Sequence, residues 1–474
     1  MRREFFWLAM ALIHLIAAAP LHAETHEALA DTAADAKTAP IEWAGISTLD
    51  LETAVKVALA GNPSLEAASA RVRQAKAQVD QARSVYWPRL DANAAGARVE
   101  LSDNAYRDNL ASARLLNPSA TIEDPEQYYT ADLTASWTLF DGFERKFSNA
   151  AARYGQQSSS AAMQDARRLL ISAVALSYFS AQLALENIAI ANADEAFNQR
   201  QLEEAQIRYR VGTGTLSDML NFEVQVNAAR SARNDFRRGY ETALVGLAAL
   251  MGIPDAYLPP GLDLASLEKE TEKDMAPPDP EAHIDYALLH RSDIQQSESI
   301  LKQTEANVGI ARSLFYPTMQ LAGSIDGERA NSGRFEGDDF GNTIGLYLTY
   351  RLYSGGERRA RLADAKYQER EAEENLRSIS IGVSADVREA VVTVRSAQYE
   401  LELQRKNAAL VMENRDLVEK EYQAGQASLV RLNEAQRNLT QAQGRLALAR
   451  VGLRQALKNL DVSTGRILLA FGTP

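Results

Sequence analysis

One unit occurs twice along this chain, and that duplication limits the possible folds more than any other feature. Ala82-Arg83-Ser84-Val85-Tyr86-Trp87-Pro88 returns 229 residues later as Ala311-Arg312-Ser313-Leu314-Phe315-Tyr316-Pro317. Leu139-Phe140-Asp141-Gly142-Phe143-Glu144-Arg145 returns 213 residues later as Leu352-Tyr353-Ser354-Gly355-Gly356-Glu357-Arg358. Tyr209, Gly212 and Leu216 return at the same spacing as Tyr422, Gly425 and Leu429. Three landmarks in one order define two copies of a structural unit. The spacing shortens by 16 between the first landmark and the second, so copy one carries a longer stretch between Pro88 and Leu139. We place copy one at 48–252 and copy two at 281–460, with a C-terminal tail at 461–474. Between the copies, residues 253–280 hold six of the chain's 14 prolines, the composition of a linker.

Each copy has the pattern short helix, strand pair, long helix, second helix. From 143 to about 210 there is no proline, and Gly155 is the only glycine. Ala162, Leu169, Leu176, Leu183, Ile190 and Phe197 recur every seven residues, and Val387, Val394 and Leu401 do the same in copy two. Such spacing predicts the seam of a coiled coil, a packing feature that carries no chemistry. A helix of this length would run roughly 100 Å at 1.5 Å per residue. Its expected partners are the shorter helices at 64–85 and 216–250, stacked end to end beside it.

The strand pairs are expected at 88–140 and 317–353. Tyr129, Ala131, Leu133, Ala135, Trp137 and Leu139 alternate with Thr130, Asp132, Thr134, Ser136 and Thr138. Ile344, Leu346, Leu348, Tyr350 and Leu352 alternate with polar neighbours in the same way, and the 90–97 strand does so weakly because its apolar side is mostly alanine. Strands of about ten residues with one apolar face suit either a membrane barrel wall or a soluble sheet packed on helices. Four strands cannot close a barrel, and lipid tolerates no open edge, so a membrane form requires several chains. Three would supply twelve strands. The polar stretch 103–126, with its extra length, is expected as a long outer loop.

Composition narrows the function. Asp and Glu number 63 against 51 Lys and Arg, a formal charge of -12 that argues against nucleic acid as a partner. Cysteine is absent and histidines number five, which leaves thiol chemistry, disulfides and multi-histidine metal centres without residues. No Ser-His-Asp order, metal-ligand spacing or phosphate loop occurs, so neither an enzyme nor a cofactor is expected. Arg2 and Arg3, an apolar run to Ala19 and the small Ala23 resemble a secretory signal at 1–23, followed by an extension at 24–47.

The signal, the duplication, the strand pairs ending in Leu-aromatic-x-Gly-x-Glu-Arg and the helix turns at Tyr-x-x-Gly resemble the TolC family of outer-membrane efflux proteins. The opening Thr48-Leu49-Asp50-Leu51-Glu52-Thr53-Ala54 and Asn62-Pro63-Ser64-Leu65 also resembles that family's start. The resemblance extends from about Leu49 to Leu460. It implies a mainly α fold with a small β part: a long coiled-coil helical barrel, plus four strands per chain in a trimeric 12-stranded transmembrane β-barrel. It implies a homotrimer in outer-membrane lipid that reaches into the periplasm, working with a periplasmic adaptor and an inner-membrane RND or ABC transporter. Such proteins are exit ducts of tripartite pumps or type I secretion systems.

The resemblance also assigns residues. Members present a Val-Gly-Leu or Val-Gly-Thr turn to the adaptor, which Val211, Gly212 and Thr213 match. Ala424, Gly425 and Gln426 occupy the second turn and depart from the pattern. In the family the second copy carries carboxylates six and nine residues beyond the tip glycine. Arg431 and Glu434 stand there, and Asp218 holds the six-residue position of copy one. These three become candidates for the periplasmic entrance constriction, against the alternative of solvated helix charges. A periplasmic adaptor or a coiled-coil scaffold without a pore are the competing functions; an adaptor would carry one hairpin rather than two, and a scaffold would lack alternating aromatic strands.

Overall fold

The structure, a computed structural model, describes residues 48–471; the expected signal at 1–23 and extension at 24–47 lie outside the described residues. In chain order the elements are β1 (Thr48–Leu49), α1 (Leu51–Gly61), α2 (Pro63–Ser84), β2 (Arg89–Val99), α3 (Asp103–Leu116), β3 (Glu126–Phe140), α4 (Glu144–Arg210) and α5 (Leu216–Leu250). There follow β4 (Asp263–Leu264), α6 (Pro280–His290), α7 (Ser292–Ser313), β5 (Thr318–Ala330), β6 (Phe340–Thr349), α8 (Glu357–Gln423), α9 (Leu429–Thr464) and α10 (Ile467–Phe471).

Helix starts follow capping chemistry. Asp50 accepts from the Thr53 amide at 2.7 Å, and Asn62 accepts from the Ser64 amide at 2.9 Å with Pro63 behind it. Asn62 also donates from Nδ2 to the Leu250 carbonyl at 2.8 Å, so the start of α2 sits on the end of α5. Repeat two has the same joint: Arg291, just before α7, donates to the Ser463 carbonyl near the end of α9 at 3.1 Å. Each 67-residue helix, α4 and α8, is therefore flanked by two shorter helices laid end to end. Toward the sheet the layer runs α2–α4–α7–α8, and away from it α5–α4–α9–α8.

The seam in copy two packs as expected, with Val387, Val394 and Leu401 buried. In copy one it fails only in its middle. Leu169 and Leu176 are 53% and 57% exposed, while Leu183 packs on the core, Phe197 is buried near the tip, and the packed face around 171–181 carries Ile171, Val174, Ala175, Tyr178, Phe179 and Ala181. The chain's own α1, α5 and α10 cover that second stripe, and of the first only Leu169 and Leu176 are left exposed. α4 also contains a window apolar enough to cross a membrane by composition, mean hydropathy 1.5, but its large side chains line this core.

Three expected segments are more structured than their composition suggests. The 103–126 stretch contains a 14-residue helix, capped by Ser102. The 253–280 linker is tied down: β4 pairs in parallel with β1, and Gln398 Nε2 donates to the Asp274 and Ala276 carbonyls at 2.9 and 3.0 Å. The tail does not begin at 461, because α9 continues to Thr464, Gly465 turns the chain, and Ile467 of α10 is fully buried. Arg168 and Arg291 hold that corner by donating to the Val462 and Ser463 carbonyls at the helix end, Val462 also accepting from the Gly465 amide.

β2, β3, β5 and β6 form one antiparallel sheet in that order, so the β3–β5 pair joins the repeats. Register puts Leu90, Ala135, Gly323 and Ile344 in one row and Trp137, Leu321 and Leu346 in another, all on one apolar face. The opposite face carries the row Asn93, Asp132, Asp326 and Gly341. β6 stops at Thr349, short of the expected 353. The recurring Glu-Arg motif has a structural cause at the strand-to-helix corners. Arg145 donates to the Leu139 carbonyl and stacks over Tyr86, and Arg358 donates to the Leu352 carbonyl and stacks over Phe315.

Candidate functional site

At the end remote from the sheet, α4–α5 and α8–α9 turn in matching ways. Ile207 and Lys420 carbonyls accept from Val211 and Ala424 as the last helical turns close. Gly212 and Gly425 then adopt φ of 79° and 75°, the left-handed region that suits glycine. Thr213 donates its amide to the Arg208 carbonyl at 2.9 Å, and Gln426 does the same to Glu421 at 2.8 Å. Thr215 and Ser428 restart the chain as N-caps, accepting from the amides of Asp218 and Arg431. The departure at Ala424 and Gln426 thus alters what the turn presents and leaves its path unchanged.

The two tips lie side by side. Beneath them Phe197, Leu202, Phe222, Val226, Val418 and Leu432 form one apolar cluster. Phe222 meets Tyr422 edge to face at 6.5 Å, Arg208 stacks over Tyr422 at 5.6 Å, and Asn433 donates to Asn221 at 2.7 Å. Burial, reinforced by the nearby Asp218 carboxylate, pushes the Tyr422 hydroxyl above its ordinary value, with Arg208 acting the other way. Val211 is 67% exposed at the extreme end, and Gly212, Thr213, Gly425 and its neighbours are open to solvent.

Of the three candidate charges, Asp218 is half-buried beside the opposite tip's tyrosine. Arg431 is held by Glu421 of its own hairpin at 3.0 Å. Glu434 is exposed and forms no ion pair among the described residues. Tyr422, Arg208 and Glu421 escaped the sequence reading as site residues. Glu421 lies ten positions before Arg431, and only a turn between them brings the pair together. Among the described residues no cluster of His, Asp or Glu has the arrangement of a metal site.

This architecture matches a known one. The model of the outer membrane efflux protein family fits residues 54–253 and 283–466. The chain belongs to the outer membrane efflux protein family. The pyoverdine export outer membrane protein OpmQ of Pseudomonas aeruginosa is 26% identical over 430 residues, covering 88% of this chain and 86% of that one. Outer membrane protein TolC of Salmonella enteritidis is 24% identical over 427 residues, covering 86% and 81%. The Campylobacter jejuni CmeC outer membrane channel superposes with a TM-score of 0.74 at 21% identity, covering 88% of this chain and 85% of that one. As an outer membrane efflux protein of a Gram-negative cell, the chain resides in the outer membrane and extends into the periplasm. Its family consists of channel proteins.

Proposed function

We propose that three copies close the sheet into a twelve-stranded barrel and the helical layer into a tunnel. The assembly is then the exit duct of a tripartite efflux pump or a type I secretion system. The observation that carries this reading is the sheet itself: four strands of 10–15 residues, long enough to cross a membrane, with one apolar face and unpaired outer edges on β2 and β6. Hydrocarbon does not tolerate such edges, and copies that pair β6 with the next β2 remove them. The helical layer supports the same closure. Its outermost helix, α8, exposes Val392, Tyr399, Leu403, Leu410 and Leu417, a seven-and-four spacing that fits a neighbouring helix.

In this reading Val211, Gly212, Thr213, Gly425 and Gln426 dock a periplasmic adaptor, which links the duct to an inner-membrane RND or ABC transporter. Asp218, Arg431 and Glu434 surround the entrance, and the Arg431–Glu421 pair holds the second hairpin's end compact. The outer membrane fraction extracted in mild detergent should run as a high-mass band that collapses on boiling, and should form discrete channels in planar bilayers. A monomer without channel activity would sink the proposal. Arg431→Ala and Glu434→Ala should each raise single-channel conductance; unchanged values in both would remove the entrance assignment. A deletion strain that loses small-molecule export but not protein secretion, or the reverse, would separate the two machines.

A further inference from the structure

The helix α3 has no counterpart in repeat two, and it ends in the most exposed large apolar side chains of the described residues. Leu115 and Leu116 are 87% and 93% exposed. The other large apolar side chains of α3 are better covered: Tyr106 and Leu110 are half-buried, and Arg114 Nε donates to the Ala120 carbonyl. The base of the loop is pinned, since the Leu101 amide donates to Asp124 at 2.9 Å and Asn331 bonds both Glu123 and the Gln127 backbone.

Height decides what can cover the two leucines. Tyr129, opposite Gly96, is the last aromatic of β3's apolar face toward the loop end. Leu115 and Leu116 end the helix that lies in the connection after the Val99–Glu126 pair, where the strand register, and with it the apolar rows, stops. Each leucine forgoes about 1.5–3 kcal/mol by staying in water. Resting on the trimeric reading above, we propose that the α3 helices of three copies pack against one another over the outer mouth of the barrel. Leu115 and Leu116 then form an apolar constriction separate from the periplasmic tips. Dimensions agree. Twelve strands about 4.8 Å apart and tilted about 40° close a wall roughly 24 Å across. Three touching helices, each about 10 Å thick, fill a circle of roughly 22 Å.

The chain has no cysteine, so Leu116→Cys introduces a single thiol. Oxidation of the purified trimer should link two of every three chains, because the thiols meet at the axis within disulfide reach, about 7 Å between Cα atoms. Trp87→Cys, at the other end of the sheet, should stay unlinked. Replacing 103–116 by a short Gly-Ser bridge should raise single-channel conductance at least twofold. A boiling-sensitive trimer in which Leu116→Cys stays unlinked overturns the proposal and leaves the duct intact, as does unchanged conductance after the replacement. Absence of any trimer overturns the duct reading and this inference with it.

Discussion

Arg291 shows how much one side chain carries in this molecule. Its side chain is almost wholly buried, and it binds Asp293 at 2.6 Å, Asp386 at 3.0 Å and the Ser463 carbonyl at 3.1 Å. Arg291→Met removes a charge that Asp293 depends on, and breaking such a pair costs about 3–5 kcal/mol. Thermal melting in detergent should therefore show a large loss, and Asp293→Asn combined with it should restore part. Burial alone would raise the Asp293 carboxyl, but the Arg291 bond and charge, with Arg168 behind, outweigh it and hold the carboxyl below its ordinary value. A depressed carboxylate stabilises the fold above its unfolded value and loses that contribution as pH falls through the folded one. Wild-type melting temperature should thus drop below about pH 4, and the drop should be shallower in Asp293→Asn.

Among elements, the 253–280 segment depends on Gln398, whose amide satisfies two linker carbonyls. Gln398→Leu leaves both without a donor, a cost of about 1–3 kcal/mol apiece if they stay buried. Trypsin should then cut at Lys269 or Lys273 in the folded variant well before it cuts the wild type. Proline content marks this segment as a linker. Its attachment was hidden because the partners, Gln398 and the Arg405 and Arg450 that bind Glu270, lie more than a hundred residues away. The helix boundaries were plainer: proline-free runs, Asn62-Pro63 and the tip glycines are local signals. The exposure of Leu169 and Leu176 within the copy-one seam has a related reason. Seven-residue spacing shows that a stripe is apolar but not which neighbour covers it, and α4 carries two such stripes.

At the scale of the whole molecule, the exposed α8 stripe and the unpaired sheet edges make separate demands on assembly. Val392→Asp with Leu410→Asp should lower the temperature at which the high-mass band collapses, while circular dichroism of the separated chain stays unchanged. Loss of helix content instead would mean that these side chains stabilise the monomer. The tip residues were placed by their turn chemistry, yet the tyrosine and arginine that bind one tip to the other became visible only when both hairpins ended at the same height.

The joints described above fall together. Asn62 splices α2 to α5, and Arg291 splices α7 to α9, each beside an unbroken 67-residue helix. In both repeats one rail is continuous and the other is cut, and the cuts share a level with β1, β4 and α10. A rod built this way flexes where the second rail is interrupted, so any sway of the periplasmic end relative to the membrane end concentrates at that waist, and the strap of residues 253–280 sets its stiffness.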